Sequence, residues 1–120
     1  MKQVLVVDDR ASSRELIRTV LENSGYSVAE AGDGQEAVRV AQQVSPDLIL
    51  LDLQMPLLDG FGALELLRRD PRFANLPIVA VTANAMQGDR EKALAAGFTS
   101  YITKPLKLSV LRDEIARLLP

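Results

Sequence analysis

The sequence predicts an open α/β fold, in which a doubly wound sheet of five parallel strands carries helices on both faces. Along the 120 residues, short apolar runs alternate five times with segments whose apolar residues recur at helical spacing. The runs at 4–7 and 48–51 are apolar at every position, which is typical of strands buried on both faces of a parallel sheet. Five strand–helix units are too few to close an eight-stranded barrel, so we expect an open sheet.

The first two strand–helix units occupy the N-terminal third of the chain. An apolar run at 4–7 ends at two carboxylates, and a helical pattern follows over 12–23. An alternating segment at 26–31 predicts a strand nearer an edge of the sheet, and a Gly-Asp-Gly turn separates it from the second helix. We expect the N-cap of the first helix at one of three residues: Asp9, Ser12 or Ser13. The core-facing residues expected from these helices are Leu16, Ile17, Val20, Leu21, Ala37, Val38, Ala41 and Val44.

The remaining three units follow the same pattern. Their strands are predicted at 48–52, 78–81 and 100–103. An irregular loop with a Met-Pro and an Asp-Gly pair follows the third strand, and Gly97 ends an alanine-rich helix over 88–96. The core-facing residues expected from the third and fifth helices are Phe61, Leu64, Leu67, Leu108, Leu111, Ile115 and Leu118.

The composition excludes several classes of function. The chain is long enough for one core, and we expect a single domain over 1–120. It contains no cysteine and no histidine, which excludes disulfides, thiolate or imidazole metal sites and Ser-His-Asp triads. A net charge of −2 gives no electrostatic case for direct binding to nucleic acid or to a membrane. Acidic residues follow too soon after the N-terminus for a signal peptide, so we expect a cytoplasmic protein.

Polar residues stand at the ends of four different strands. Asp8 and Asp9 follow the first strand, Asp52 ends the third, Thr82 follows the fourth and Lys104 follows the fifth. Taken singly, each has an ordinary interpretation as a helix cap, a loop residue or a solvated charge. Alternation alone does not fix the strand order, but the common order 2-1-3-4-5 places the first and third strands side by side, where ligands bind such sheets. The coincidence of four strand ends at one edge therefore favours a functional site.

The residue types at this edge favour chemistry with a hard metal ion and a phosphoryl group. At an effective dielectric near 20, two carboxylates ~5 Å apart repel by about 3 kcal/mol, which one lysine relieves only in part. Oxygen ligands without sulfur or imidazole suit Mg²⁺, with Mn²⁺ as a substitute. Asp52 could then act as a nucleophile towards phosphorus, while Lys104 stabilises negative oxygens and Thr82 donates a hydroxyl hydrogen bond. A carboxylate is already ionised at pH 7, so this chemistry needs no general base.

Four segments together resemble the receiver domain of bacterial response regulators in two-component signalling: VLVVDD, LILLDLQMPLLDG, IVAVTANA and YITKP. The resemblance covers essentially the whole chain and implies a flavodoxin-like fold with the strand order 2-1-3-4-5. It implies that Asp52 accepts a phosphoryl group from a phosphohistidine on a sensor histidine kinase or a histidine phosphotransfer protein. Asp9 would ligate Mg²⁺ directly and Asp8 largely through water, while Gln54 would lend only its backbone carbonyl. Lys104 would pair with phosphoryl oxygens, and Pro105 matches a Lys-Pro pair that is often cis.

The resemblance also implies a conformational switch. Thr82 would move towards the phosphoryl group, Ala83 is small as this movement needs, and Tyr101 would fill the vacated space. A downstream protein would then read the surface formed by the fourth helix, the fifth strand and the fifth helix. The residues assigned to the shape of the loop after the phosphoacceptor are Met55, Pro56, Asp59 and Gly60. Gln54 and Asn84 occupy positions that are thought to tune the lifetime of the phosphoryl group.

The resemblance implies a phosphorylation-activated switch that is not a turnover enzyme, and three other functions have different sequence requirements. A phosphatase of the haloacid dehalogenase type expects a second aspartate where Gln54 stands. An FMN-binding module expects a Ser/Thr/Gly-rich phosphate cradle where Asp8 and Asp9 stand. A pseudo-receiver that only binds partners does not require the intact set of acidic residues, threonine and lysine. Both a stand-alone regulator and a receiver within a longer regulator or hybrid kinase fit the sequence.

Overall fold

The computed structural model describes residues 1–83 and 88–119, and it has the predicted alternation of strands and helices. The strands are β1 (Gln3–Val7), β2 (Ser27–Ala31), β3 (Leu48–Asp52), β4 (Ile78–Thr82) and β5 (Ser100–Thr103). The helices are α1 (Ala11–Asn23), α2 (Gly34–Val44), α3 (Gly60–Arg69), α4 (Asp89–Ala96) and α5 (Leu108–Leu118), with a short 3₁₀ turn at Pro71–Phe73. All strands pair in parallel in the order β2-β1-β3-β4-β5, which confirms the predicted fold class.

The central strands divide their side chains between two cores, one on each face of the sheet. From β1, Val4 and Val6 enter the core beneath α1 and α5, whereas Leu5 and Val7 enter the core beneath α2, α3 and α4. The fully buried β3 divides its leucine and isoleucine residues in the same way. Burying such a side chain contributes about 1.5–3 kcal/mol. Strands with two covered faces need apolar residues at every position, which explains the runs without alternation.

Two side chains predicted to face the core are exposed instead. Leu16 is 56% exposed and Leu108 is 40% exposed. The buried stripe of α1 is centred on Ile17 and Leu21, and Leu16 lies about 100° around the helix from Ile17. The buried residues of α5 begin one turn after Leu108, at Leu111. Both leucines therefore lie at the margins of stripes whose other members are buried or partly buried.

The prediction that Asp9, Ser12 or Ser13 is the N-cap of α1 is wrong. Arg10 is the N-cap, and its side chain makes no capping hydrogen bond. The backbone N–H of Arg10 instead donates to Oδ1 of Asp8 at 2.9 Å. The turn into the helix is thus built by an aspartate side chain two residues earlier, as Asp residues commonly do in turns.

The register of the sheet brings the carboxyl ends of four strands to one edge. Val7 lies beside Leu51, Asp52 beside Val81, and Thr82 beside Thr103. The residues that follow these pairs leave the sheet together, which places their side chains around one opening. In the part of the chain that the structure describes, no helix is long and apolar enough to cross a membrane.

Candidate functional site

Three carboxylates meet where β1 and β3 leave the sheet. Oxygen atoms of Asp8, Asp9 and Asp52 lie within 4.8 Å of one another. Asp8 is only 2% exposed and Asp52 only 3% exposed, while Asp9 is open to solvent. The predicted convergence of these residues thus occurs, with two carboxylates buried and one accessible from outside.

Lys104 lies between the two buried carboxylates. Its Nζ is 3.2 Å from Oδ2 of Asp8 and 3.3 Å from Oδ2 of Asp52. The backbone N–H of Lys104 donates to the carbonyl oxygen of Thr82 at 2.7 Å, so the lysine is held against the end of β4. The peptide between Lys104 and Pro105 is cis. One ammonium group therefore serves two carboxylates, which leaves the cluster with excess negative charge.

Opposing effects act on the pKa of the buried Asp52 carboxylate. Burial raises its pKa above the usual range, and the nearby Asp8 carboxylate acts in the same direction. The backbone N–H of Gln54, which donates to Oδ1 of Asp52 at 3.0 Å, and the charge of Lys104 both lower that pKa, but burial prevails. Further positive charge beside Asp52 would favour its ionised form.

The donor set of this cluster fits a hard divalent cation. All three side chains offer carboxylate oxygen, and the cluster contains neither sulfur nor imidazole. Such ligands suit Mg²⁺ or Mn²⁺, which retain water at positions that the protein does not fill. Asp9 is exposed, so a cation can reach the cluster from solvent at this residue. The loop that carries Gln54 borders the same opening, because its N–H contacts Asp52.

The side chain of Gln54 has a role that sequence reasoning missed. Its Nε2–H donates to Oγ1 of Thr82 at 2.7 Å, and its Oε1 accepts the backbone N–H of Ala83 at 3.2 Å. The expectation that Gln54 lends only its backbone is therefore incomplete. The bridge joins the loops after β3 and β4, whose neighbouring ends are set by the register of Asp52 with Val81. The signals available in the sequence were the position of Gln54 two residues after Asp52 and the predicted pairing of the third strand with the fourth.

The residues assigned to the switch lie along the β4 and β5 side of the opening. Thr82 is buried, Ala83 is exposed and Tyr101 is half-buried against the core beneath α2, α3 and α4. Burial raises the pKa of the Tyr101 hydroxyl, and the carboxylates of Asp89 and Glu91 raise it further. Asn84, the other position assigned to phosphoryl lifetime, falls outside the described residues.

A groove of about 350 Å³ runs between α4, β5 and α5 beside Tyr101. Its lining residues are Arg90, Tyr101, Ile102, Thr103, Pro105, Lys107 and Val110. The face that the resemblance assigns to a downstream partner thus contains a depression with two cationic side chains.

The loop after β3 is shaped by its turn residues. Oδ1 of Asp59 accepts the backbone N–H of Gly62 at 2.9 Å and so caps α3. A Cβ atom on Gly60 would lie 2.6 Å from the carbonyl oxygen of Asp52, so only glycine allows α3 to begin this close to the strand end. Met55 is buried in the core, whereas Pro56 is exposed.

The fold and this site define an open parallel α/β domain with an acidic centre at the switch point of its sheet. A family model described as the response regulator receiver domain matches residues 4–116, and the chain belongs to that family. It is therefore a receiver domain of two-component signalling, a class of domain that interacts with histidine kinases or phosphotransfer proteins.

Two curated relatives differ in how much of their own length they share with this chain. The signal transduction histidine-protein kinase BarA of Escherichia coli strain K12 is 40% identical over 98% of this chain, which spans 13% of the length of BarA. The polar-differentiation response regulator DivK of Brucella anthropi is 37% identical over 89% of this chain and 87% of its own length.

One solved structure bears on the acidic cluster. The receiver domain of the sensor histidine kinase PA1611 from Pseudomonas aeruginosa is 38% identical and has a TM-score of 0.89, covering 98% of this chain and 96% of that one. It holds a magnesium ion coordinated in its active-site cleft.

Proposed function

We propose that this chain is a phosphorylation-activated switch that accepts a phosphoryl group onto Asp52 in a Mg²⁺-dependent reaction. The donor is a phosphohistidine of a sensor histidine kinase or a histidine phosphotransfer protein. The observation that carries the proposal is the placement of the buried Asp52 carboxylate beside Asp8, Asp9 and the Nζ of Lys104. Mg²⁺ held by the acidic residues, with Mn²⁺ as a substitute, would supply positive charge to the transferring phosphoryl group.

The phosphoryl transfer needs no general base. An oxygen of Asp52 forms a bond to phosphorus as the phosphorus–nitrogen bond of phosphohistidine breaks. The other ring nitrogen of the phosphohistidine carries a proton, so neutral imidazole leaves with the bonding electron pair. Lys104 is already within hydrogen-bond reach of Asp52 and so stands where phosphoryl oxygens would arrive. The Gln54 N–H holds the other Asp52 oxygen and so orients the carboxylate. Binding and orientation by these groups account for the catalysis that the chain itself supplies.

The switch is proposed to run from Thr82 to Tyr101. A phosphoryl group on Asp52 offers new acceptors to the Thr82 hydroxyl, which now accepts a hydrogen bond from Gln54. The free energy of these new contacts shifts the equilibrium between two packings of Tyr101. A downstream protein then binds the altered face of α4, β5 and α5. We propose protein partners only, without direct binding to nucleic acid or a membrane.

The rival phosphatase reaction lacks an acid/base group at the expected position. A haloacid dehalogenase-type enzyme needs a titratable carboxylate two residues after its nucleophile, and the Gln54 amide cannot exchange protons in that way. Its side chain is instead engaged with Thr82 and Ala83. These contacts support a switch that undergoes its own phosphorylation and slow dephosphorylation, and not a turnover enzyme.

The experiment is phosphorylation by acetyl phosphate, followed by intact-mass measurement with and without Mg²⁺. We expect one phosphoryl group on the wild type only with Mg²⁺, and none on Asp52→Asn. Asp113→Asn is the matched control, because Asp113 is exposed on α5 and far along the chain from the acidic cluster. Modification of Asp52→Asn equal to that of the wild type, or no Mg²⁺-dependent modification at all, would overturn the proposal.

A further inference from the structure

We propose that Arg14 is a positioning residue, whose guanidinium fixes the peptide between Asp8 and Asp9 and so sets both carboxylates for a divalent cation. This inference rests on the proposed function. Arg14 lies on α1, outside the acidic cluster, and its side chain is only 21% exposed.

The contact that carries the inference is a hydrogen bond to a backbone carbonyl. Nη1–H of Arg14 donates to the carbonyl oxygen of Asp8 at 2.7 Å. That carbonyl belongs to the planar peptide that links Asp8 to Asp9. Both side chains extend from the ends of this plane, so a bond that fixes its orientation constrains the direction of both carboxylates.

Arg14 is itself held in place by the end of the neighbouring strand. Its Nε–H donates to Oε1 of Glu30, on β2, at 3.2 Å. Nη1–H of Arg18 donates to the other carboxylate oxygen of Glu30 at 2.7 Å, which fixes the carboxylate from its far side. A Cβ on Gly32 would lie 3.4 Å from Nη1 of Arg14, so the guanidinium is packed against the turn after β2. The planar guanidinium can serve two acceptors at once, which suits this position.

The other polar groups of Asp8 are held by different partners. Its N–H donates to the carbonyl oxygen of Ala31 at 3.2 Å, and its carboxylate accepts hydrogen bonds from Arg10 N–H and from Lys104. Arg14 thus completes the set by holding the carbonyl. Without it, the carbonyl would be hydrated and the peptide between the two aspartates could rotate. Outer partners of this kind matter to metal affinity because they orient the groups that bind the ion.

The charge of Arg14 and its positioning role predict opposite effects on Mg²⁺ binding. A guanidinium near an acidic cluster repels a cation, so removal of the charge alone would tighten Mg²⁺ binding. Loss of the bond to Asp8 would weaken it. The sign of the change therefore separates the two contributions.

The test is calorimetric titration of the whole chain with MgCl₂, comparing wild type, Arg14→Met and Arg18→Met. Both variants lose one positive charge and one partner of Glu30 from α1, but only the first loses the bond to Asp8. We expect the dissociation constant for Mg²⁺ to rise about tenfold in Arg14→Met and to stay within about twofold in Arg18→Met. Binding by Arg14→Met that equals or exceeds wild type, or equal weakening in both variants, would overturn the inference.

A second measurement needs no metal. The amide N–H of Asp9 belongs to the same peptide as the Asp8 carbonyl, so its ¹H and ¹⁵N chemical shifts report loss of the bond. We expect this signal to move in Arg14→Met and not in Arg18→Met. The same spectra show whether each variant is folded. If Arg14→Met does not fold, Arg14→Gln replaces it, with the same expected weakening of Mg²⁺ binding and the same expected movement of the Asp9 signal. An unmoved Asp9 signal would count against Arg14 alone, whereas failure of the wild type to bind Mg²⁺ would count against the proposed function.

Discussion

The Nε2–H of Gln54 donates a hydrogen bond of 2.7 Å to Oγ1 of Thr82, across the ends of two neighbouring strands. The same amide accepts the N–H of Ala83, so one side chain holds both the last residue of β4 and the residue that follows it. Thr82 is the residue expected to move towards a phosphorylated Asp52. In the proposed switch, this bond would stabilise the unphosphorylated arrangement, because it holds the Thr82 side chain against Gln54.

The first prediction concerns this bridge. Gln54→Ala removes both side-chain hydrogen bonds of this bridge. Loss of the neutral bond to Thr82, worth about 1 kcal/mol, should make the activated arrangement roughly fivefold more populated without phosphate. The amide signals of Thr82, Ala83 and Tyr101, followed by NMR, should shift towards the positions they take with beryllofluoride. Gln43→Ala, an exposed glutamine on α2, is the control. If both variants give the same spectrum around β4, Gln54 does not restrain Thr82.

The second prediction separates metal binding from phosphorylation at Lys104. Lys104→Ala removes the only ammonium shown within 3.3 Å of Asp52 among the described residues, while the carboxylates remain. The variant should bind Mg²⁺ at least as tightly as wild type but respond poorly to acetyl phosphate. Titration calorimetry and intact mass measure the two effects, with the exposed Lys2→Ala as control. Normal phosphorylation of Lys104→Ala would remove the lysine from its assigned role.

The third prediction is a pH dependence that follows from the raised pKa of Asp52. In EDTA, the folded protein binds the Asp52 proton more tightly than the unfolded chain does, whose reference pKa is 3.8. The resulting stabilisation is fully present below that value and is lost as the pH rises through the folded pKa. The free energy of unfolding of Asp52→Asn relative to wild type should therefore rise across this window and then level off.

Urea unfolding between about pH 4 and pH 8 measures this difference, with Asp113→Asn as the control. Addition of Mg²⁺ at neutral pH should then stabilise the wild type and leave Asp52→Asn nearly unchanged. A difference that falls with increasing pH would have the wrong sign for a carboxyl group whose pKa is raised by burial.

The fourth prediction concerns stability away from the site. Nη1–H groups of Arg68 donate to the carbonyl oxygens of Phe73 and Leu76, both at 2.7 Å, and Nη2–H donates to that of Gly97 at 2.9 Å. Arg68→Ala leaves these carbonyls without their charged donor and should lower the free energy of unfolding by about 2–3 kcal/mol. The neighbouring Arg69 pairs with Glu65 on the surface. Arg69→Ala should therefore cost no more than about 0.5 kcal/mol in urea unfolding, and equal losses would contradict the assignment.

The parts of the site that the sequence predicts are those carried by strand ends. Asp8 and Asp52 follow apolar runs, and Lys104 follows the predicted fifth strand. The carboxyl ends of parallel strands share an edge, so pattern and topology suffice to bring the three residues together. The same reasoning fails for Arg10, because the start of α1 depends on a side chain that bends back from the preceding turn. Local propensity favoured serine and aspartate caps, and the tertiary turn overrode it.

The contacts of Gln54 and Arg14 lie beyond sequence pattern for a different reason. The partner of the Gln54 amide stands 28 residues away and depends on the register between β3 and β4. The partner of Arg14 at the site is the backbone carbonyl of Asp8, and every residue has a carbonyl, so no residue type marks this contact. Both contacts become visible only when the strands and α1 are placed in three dimensions.

The close approach of Gly60 to Asp52 limits which side of the site can move in the proposed switch. Between the start of α3 and the carbonyl of Asp52 there is no room for even one methyl group, and β3 is paired with β1 and β4 on either side. Both features restrain the backbone at Asp52. On the opposite wall, the Gln54 amide joins the Thr82 hydroxyl and the Ala83 N–H to the loop after β3, and the Thr82 carbonyl accepts the N–H of Lys104. In the proposed switch, a signal that begins at Asp52 would therefore leave the site through β4 towards β5, with the α3 side as its support.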